Sequence, residues 1–149
     1  MTRDLAGRLG RRALFLGFLL LVVAFASALF MGLYANPRTA LAAHVIGITG
    51  GLMLIATGLA FPALRLSRAM LLFVFWALAV SVWAGFAAQL VGAGYGLARM
   101  FVVTAAGQPE GPAAVERAVE LVTKAITPLT ILPCLVILWG LRGPAPDRS

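Results

Sequence analysis

Charge is scarce in this chain of 149 residues: 11% are charged, 62% are hydrophobic, and the mean hydropathy is +1.00. A typical soluble domain is about one quarter charged. The chain therefore lacks the polar residues that a water-facing surface requires, which excludes a soluble enzyme. Cys134 is the single cysteine and His44 the single histidine, so neither a disulfide framework nor a tetrahedral zinc site of the usual kind can form.

The few charged residues divide the chain into long apolar runs. Uncharged stretches of 25, 26, 30 and 17 residues follow Arg12, Arg38, Arg68 and Lys124. A bilayer core of about 30 Å requires roughly 20 apolar residues in a helix. The pattern predicts an all-α protein, a four-transmembrane-helix bundle in a single domain. The predicted spans are about 13–34, 38–62, 69–92 and 119–141, with 93–118 as a long outer loop or lid and 143–149 as a tail.

Basic residues are distributed unequally between the two sides of these spans. One side carries Arg3, Arg8, Arg11, Arg12, Arg65, Arg68, Arg142 and Arg148, and the other carries Arg38, Arg99, Arg117 and Lys124. The positive-inside rule then puts both termini in the cytoplasm of a multi-pass protein of a bacterial-type inner membrane. Topology thus accounts for the net charge of +7. The expected partner is the lipid bilayer, and nucleic acid is not expected.

Prolines indicate where one helix begins and where another bends. Asn36 can cap the second helix, and Pro37 suits its first position, where no backbone N–H is needed. Pro128 and Pro133 lie inside the fourth span. Each removes a backbone hydrogen bond, so a kink is predicted there.

His44 is the only side chain within a predicted span that titrates near neutral pH. An ionisable residue in a span indicates a functional site by default, although the imidazole could simply donate a hydrogen bond to a carbonyl of a neighbouring helix. At about 100° per residue, Gly47 and Gly51 share its helical face. This small-residue spacing ordinarily indicates close helix packing. Alternatively, the glycines flatten the helix so that a planar macrocycle can lie against it, with the imidazole as axial ligand.

The third span carries a weakly polar stripe of Ser81, Gly85 and Gln89 at intervals of four residues. Trp76 and Trp83 lie one heptad apart and could line a flat aromatic pocket or face lipid. No carboxylate is expected to be buried, and there is no serine–histidine–acid set or glycine-rich phosphate loop. A catalytic function would therefore require a cofactor to carry the chemistry.

The segment from Asn36 to Gly47, N-P-R-T-A-L-A-A-H-V-I-G, resembles the start of helix 2 in the hydroxylaminobenzene mutase family. It is similar, more distantly, to the styrene oxide isomerases. Trp83 fits the tryptophan of the third helix in that family, and the segment from Leu138 to Arg142 looks like the mutase ending. The resemblance covers about residues 13–142.

The resemblance implies a four-span membrane isomerase that contains haem b and assembles as a trimer. His44 would be the axial ligand of ferric iron, which acts as a Lewis acid. Gly47 and Gly51 would lie beside the haem. The position and charge of Arg38, near the outer interface, separately predict that it could pair with a haem propionate. Trp83 matches the family's tryptophan near the pocket, and Trp83, Ser81 and Gln89 of the third span are our predicted catalytic residues. The substrate would be a small apolar aromatic molecule, either an arene hydroxylamine that becomes an aminophenol or an epoxide that becomes an aldehyde.

Several positions depart from the family pattern. Gly50 stands where the family has asparagine, and Ile46 where the mutases have glutamate; Ser81, Gly85 and Gln89 replace the isomerase's acid, amide and tyrosine side chains. Two alternatives therefore remain open. The chain could be a haem-binding or haem-sensing membrane protein without isomerase activity, or a structural membrane subunit without a cofactor.

Overall fold

The computed structural model describes residues 2–142, so the predicted tail at 143–149 lies outside the described residues. The helices in this range are α1 (Thr2–Ala28), α2 (Pro37–Ala60), α3 (Arg68–Tyr95) and α4 (Ala113–Gly140). Short 3₁₀ turns at Met31–Leu33 and Phe61–Ala63 follow α1 and α2. All four helices are long and apolar enough to cross a membrane. The prediction of an all-α chain with four helices able to span a membrane is confirmed.

The helices do not coincide with the apolar runs in the sequence. α1 begins at Thr2 and includes the arginine-rich segment, because arginine is a good helix former. It ends at Ala28, whereas the predicted span continued to about residue 34. α3 continues to Tyr95, where Gly96 at a φ of 64° ends it in the left-handed conformation. α4 begins at Ala113, before the predicted span at 119.

The predicted start of α2 is confirmed. The Oδ1 atom of Asn36 accepts hydrogen bonds from the backbone N–H groups of Arg38 at 3.1 Å and Thr39 at 3.2 Å, and Pro37 is the first helical residue. α4 is continuous through Pro128 and Pro133, and the kink expected at these prolines stays a prediction.

Successive helices are antiparallel, so the basic residues collect at two ends of the bundle. At one end, the backbone N–H of Arg65 donates to the carbonyl of Gly140 at 2.9 Å. At the other end, the N–H of Asn36 donates to the carbonyl of Ala93 at 3.0 Å. The first end has Arg3, Arg8, Arg11, Arg12, Arg65, Arg68 and Arg142, and the second has Arg38, Arg99, Arg117 and Lys124. The cytoplasmic location of the first end stays a prediction.

α1 and α2 approach each other closely through small residues. The contacts pair Gly10 with Gly58, Gly17 with Gly51, and Ala24 with Gly47. A Cβ atom added to Gly10 or Gly17 would lie 2.7 Å from a carbonyl oxygen of α2, and one added to Gly47 would lie 2.6 Å from the Cβ of Ala24. These distances leave no room for a side chain. The helix-packing interpretation of the Gly47–Gly51 spacing is confirmed.

α3 lies at the centre of the bundle and α4 at its periphery. Half of the most apolar stretch of α3 is buried (50%), against 6% for α4. The core residues that join α1, α2 and α3 include Leu20, Leu54 and Leu78, each at most 1% exposed. α4 therefore presents most of its apolar surface to the outside of the chain.

Candidate functional site

His44 lies where α2 meets the last turns of α1. Its Nδ1 atom is 2.7 Å from the carbonyl oxygen of Ala24. A carbonyl only accepts, so Nδ1 carries the hydrogen and Nε2 carries the lone pair. Within residues 2–142, no group hydrogen-bonds Nε2. The ring of Phe25 meets the imidazole edge-on, with 5.8 Å between ring centroids. The hydrogen bond to a neighbouring helix is thus present, and it leaves the second ring nitrogen available.

This arrangement of His44 fits an axial haem ligand. Histidine ligands to metals usually donate their other N–H to a carbonyl or carboxylate, which fixes the tautomer and the ring orientation. His44 is half-buried, and Leu41 and Val45 on either side of it are 51% and 50% exposed. A macrocycle would therefore approach from the outer surface of the chain.

The other residues expected to bind a cofactor lie in two different environments. Within the chain, Gly47 and Gly51 are covered by Ala24 and Leu21 of α1, so no open face remains beside them. Arg38 is exposed at the start of α2 and pairs with no carboxylate in the part of the chain that the structure describes. Its guanidinium is available for an anionic group near the membrane surface.

A cavity of about 320 Å³ lies between α2, α3 and α4. Its volume is at the lower limit of the roughly 300–1,000 Å³ that is usual for ligand sites. The residues that line it are Ile46, Thr49, Gly50, Met53, Ser81, Val82, Gly85, Ala88, Gln89, Phe101, Thr123, Ile126 and Thr130. The structure thus brings the predicted stripe of α3 together with Ile46 and Gly50, two positions at which the sequence departs from the family pattern.

Most polar groups in the cavity wall already have partners. The hydroxyl of Ser81 donates to the carbonyl of Leu78 at 3.2 Å. The hydroxyls of the three lining threonines donate to carbonyls of their own helices. Among the described residues of the wall, Oε1 of Gln89 is the buried polar atom without a hydrogen bond. A buried unpaired acceptor costs about 1–3 kcal/mol, so an N–H or O–H group of a ligand that reached this oxygen would remove that cost.

Trp83 is separate from this cavity. It is half-buried and packs against the core of α1, α2 and α3, and its Nε1 atom is buried without an acceptor in the described range. Trp76, one heptad earlier, is 57% exposed. The two tryptophans therefore do not line a common pocket.

His44 and the cavity lie on opposite faces of α2. Ile46, Gly50 and Met53, which line the cavity, are rotated from His44 by about 180–240° around the helix axis. A single chain therefore does not bring His44 together with Ser81 and Gln89. Spacing along one helix predicts which residues share a face, but it does not predict which neighbouring helix that face contacts.

Glu116 shows that the expectation of no buried carboxylate was wrong. This residue in the first turn of α4 is fully buried (0% exposed). Its Oε1 atom accepts hydrogen bonds from the backbone N–H groups of Ala98 at 2.8 Å, Arg99 at 3.3 Å and Gly111 at 3.2 Å. The carboxylate is buried because both ends of the long α3–α4 loop direct their amides towards it. In the sequence, the one signal for this role of Glu116 as an acceptor of loop amides is its position just after the Gly- and Pro-rich segment.

The α3–α4 loop is folded over one end of the cavity. Phe101 lines the cavity and packs on α3 so closely that a Cβ atom on Gly92 would overlap its ring. The loop is also joined to the start of α2, because the Nδ2 of Asn36 donates to the carbonyl of Thr104 at 3.4 Å. The hydroxyls of Thr39 and Thr104 are 3.1 Å apart. The loop thus forms an anchored cover.

Comparisons with known proteins agree with this architecture. The sequence profile described as "Styrene oxide isomerase" matches residues 9–142. Hydroxylaminobenzene mutase HabB of Ectopseudomonas oleovorans is 31% identical over 140 residues, which cover 94% of this chain and 85% of the relative. Hydroxylaminobenzene mutase HabA of the same organism is 28% identical over 125 residues, 84% of this chain and 93% of the relative. No solved structure matches the chain. The profile match extends from α1 to the end of α4, and the chain therefore belongs to the styrene oxide isomerase family of isomerases and mutases.

Proposed function

We propose that this protein rearranges a small, apolar arene hydroxylamine to an aminophenol within the membrane. The observation that carries the proposal is the unpaired Oε1 of Gln89, in a cavity wall whose Ser81 and threonine hydroxyls already have partners. An arene hydroxylamine has N–H and O–H donors that this oxygen would accept, whereas an epoxide has none. The similarity to two hydroxylaminobenzene mutases supports the same choice. The rearrangement of an epoxide to an aldehyde is the alternative reaction.

The proposed reaction is an isomerisation that balances without a second substrate. The N–O bond of the hydroxylamine breaks and a C–O bond forms on the aromatic ring. The ring carbon that gains oxygen loses a proton, and the nitrogen gains one. No reductant or oxidant is consumed. The residues around the cavity bind the ring and exclude water, which would otherwise compete for the activated carbon.

Haem b is the cofactor in this proposal, and Nε2 of His44 would hold its iron. When bound, it would supply a Lewis acid for the oxygen of the substrate. The bond from Nδ1 of His44 to the Ala24 carbonyl orients the imidazole. Gly47 and Gly51 act through α1, because their close packing holds that carbonyl in place. Arg38 would bind a propionate at the membrane surface.

Gln89 would hold and orient the hydroxylamine, while Ser81 and Trp83 have lesser roles. The Ser81 hydroxyl already donates within α3, so it contributes mainly to the shape of the cavity. The unpaired indole N–H of Trp83 lies in the core of α1, α2 and α3. It would donate a hydrogen bond only to a group bound on that side of the bundle.

A homotrimer would reconcile the separate positions of His44 and the cavity. Because they lie on opposite faces of α2, a contact that joins the His44 side of one copy to the cavity side of the next brings them together. Such a head-to-tail contact closes into a ring of three when successive copies are rotated by about 120°. The exposed apolar surface of α4 provides area for this contact.

Absorption spectra and product analysis of the detergent-purified protein test the proposal. The wild-type protein and the His44→Ala variant are expressed with the same haem supply and then incubated with phenylhydroxylamine or styrene oxide. We expect a Soret band near one haem per chain that is lost in His44→Ala, and aminophenol formation that depends on His44. Ser81→Ala serves as a control in the cavity wall and should retain most of the activity.

Each other result selects a different function. A haem spectrum without His44-dependent product from either compound would contradict the proposed reaction. It would favour a haem-binding or haem-sensing protein, which the lack of free polar groups around Gly50 and Ser81 also favours. A protein that stays colourless after haem addition would exclude both functions and leave a structural subunit.

A further inference from the structure

A second cleft lies between α1 and α3, away from every residue of the proposed reaction. Its volume is about 540 Å³. Three arginines, Arg8, Arg11 and Arg12, line one part of it, and Phe15 and Trp76 line the other. Arg12 is separated from Ala24, the partner of His44, by twelve residues of α1, which corresponds to about 18 Å. The cleft is therefore independent of the candidate catalytic site.

The arginines give this cleft a net positive charge. All three are exposed and lie within two turns of one helix, whereas Asp4 is the one carboxylate in α1. Guanidinium groups bind phosphate through pairs of parallel N–H donors. An anion that occupies the cleft could contact more than one of them.

The apolar part of the cleft continues from the arginines towards the middle of the bundle. Phe15 is 69% exposed and Trp76 is 57% exposed, and the ring of Trp76 packs edge-on against Phe75 with 5.1 Å between centroids. Tryptophan is enriched where a membrane protein meets the headgroup region. The cleft thus joins a cationic end at the membrane surface to an aromatic wall at the depth of the acyl chains.

We infer that this cleft binds an anionic phospholipid, whose phosphate contacts Arg8, Arg11 and Arg12 and whose acyl chain lies along Phe15 and Trp76. Basic pockets between transmembrane helices are known to suit such headgroups. A zwitterionic lipid carries the same phosphate but adds a cationic group, which three arginines repel. Inorganic phosphate lacks the chain that would cover the aromatic wall.

Quenching of Trp76 fluorescence tests the inference on the full chain. The protein is reconstituted in vesicles that contain phosphatidylglycerol or phosphatidylcholine with brominated acyl chains, and a Trp76→Phe background is subtracted to remove Trp83 and Trp139. We compare the wild type with R8Q/R11Q/R12Q. The matched control R3Q/R65Q/R68Q removes the same charge from the same end of the bundle but outside the cleft.

The wild type and the control should show Trp76 quenching at a lower mole fraction of brominated phosphatidylglycerol than of brominated phosphatidylcholine. The preference should fall by about fivefold for each arginine removed, since one basic residue contributes about that factor to binding an anionic surface. Single variants at Arg8, Arg11 and Arg12 provide this measurement even where the triple variant fails to insert.

Three results would overturn the inference. The wild type could show no preference, or both triple variants could lose it equally, which would indicate diffuse surface charge. Inorganic phosphate could also displace the lipid more than chloride at the same ionic strength, which would assign the site to a soluble anion instead.

Discussion

Replacement of Glu116 by alanine tests whether one buried carboxylate holds the cover of the cavity in place. The substitution removes the acceptor shared by the backbone N–H groups of Ala98, Arg99 and Gly111. Leu97 and Phe101 of the loop pack into the bundle. Without the carboxylate we expect the loop, together with these two side chains, to detach from α3 and α4 while the helices remain folded.

The size of the effect follows from the three hydrogen bonds. Each buried N–H left without a partner costs about 1–3 kcal/mol, so the upper limit is about 3–9 kcal/mol. When the loop opens, water hydrogen-bonds these amides, so the actual cost is smaller than this upper limit. We therefore expect a loss of about 2–4 kcal/mol in the free energy of loop opening. Glu116→Gln keeps an oxygen acceptor but not its charge, and should lose about half as much because charge-assisted bonds are roughly twice as strong.

Hydrogen exchange measured by mass spectrometry on peptides that cover residues 97–112 is the suitable assay. Glu110→Ala is the matched control, since Glu110 belongs to the same loop but forms only an exposed ion pair with Arg99 at 3.1 Å. Such pairs contribute about 0–1 kcal/mol. Faster exchange in Glu116→Ala than in Glu110→Ala is expected. Equal exchange rates in the two variants would refute the anchoring role of Glu116.

Three further substitutions test the helix contacts and the cavity. Gly51→Ala puts a Cβ atom 2.9 Å from the Gly17 carbonyl oxygen and should destabilise the protein by about 1–3 kcal/mol. Thermal unfolding in detergent measures this against Gly7→Ala, whose added Cβ atom meets open space. Equal melting temperatures of the two variants would contradict the expectation. Asn36→Ala removes the cap of α2 and should cost about 1 kcal/mol, measured by the same melt; an unchanged midpoint would show that the cap is dispensable. Gln89→Leu should lower kcat/KM for phenylhydroxylamine by about two- to twelvefold, the value of one hydrogen bond, without loss of the Soret band; undiminished turnover would remove Gln89 from the substrate site.

The features that were predictable from sequence are those set by local chemistry. Long apolar runs indicated four helices, the Asn36–Pro37 pair indicated the start of α2, and the Gly47–Gly51 spacing indicated a close helix contact. Each depends on residues within a few turns of one another. The grouping of arginines at two ends followed directly once the helices were antiparallel.

The features that were not predictable depend on contacts between distant segments. The burial of Glu116 requires amides from both ends of a loop to converge on it, which no spacing encodes. The separation of His44 from Gln89 depends on how α2 is rotated between α1 and α3. α1 and α4 also begin well before their apolar runs, because charged residues are compatible with helical backbone beyond the hydrocarbon core.

The contact between α1 and α2 has a consequence for how the first two helices find their alignment. Gly10, Gly17 and Ala24 recur every seven residues, so α1 could slide along α2 only in steps of about 10 Å without forcing larger residues into the close contact. One such step inward would carry Arg12 towards the bilayer centre, where an arginine costs about 2.5–3.5 kcal/mol. A step outward would draw the short segment before Asn36 into hydrocarbon with its backbone unpaired. The membrane thereby disfavours the shifted registers of α1 against α2 that the seven-residue spacing of small residues alone would permit.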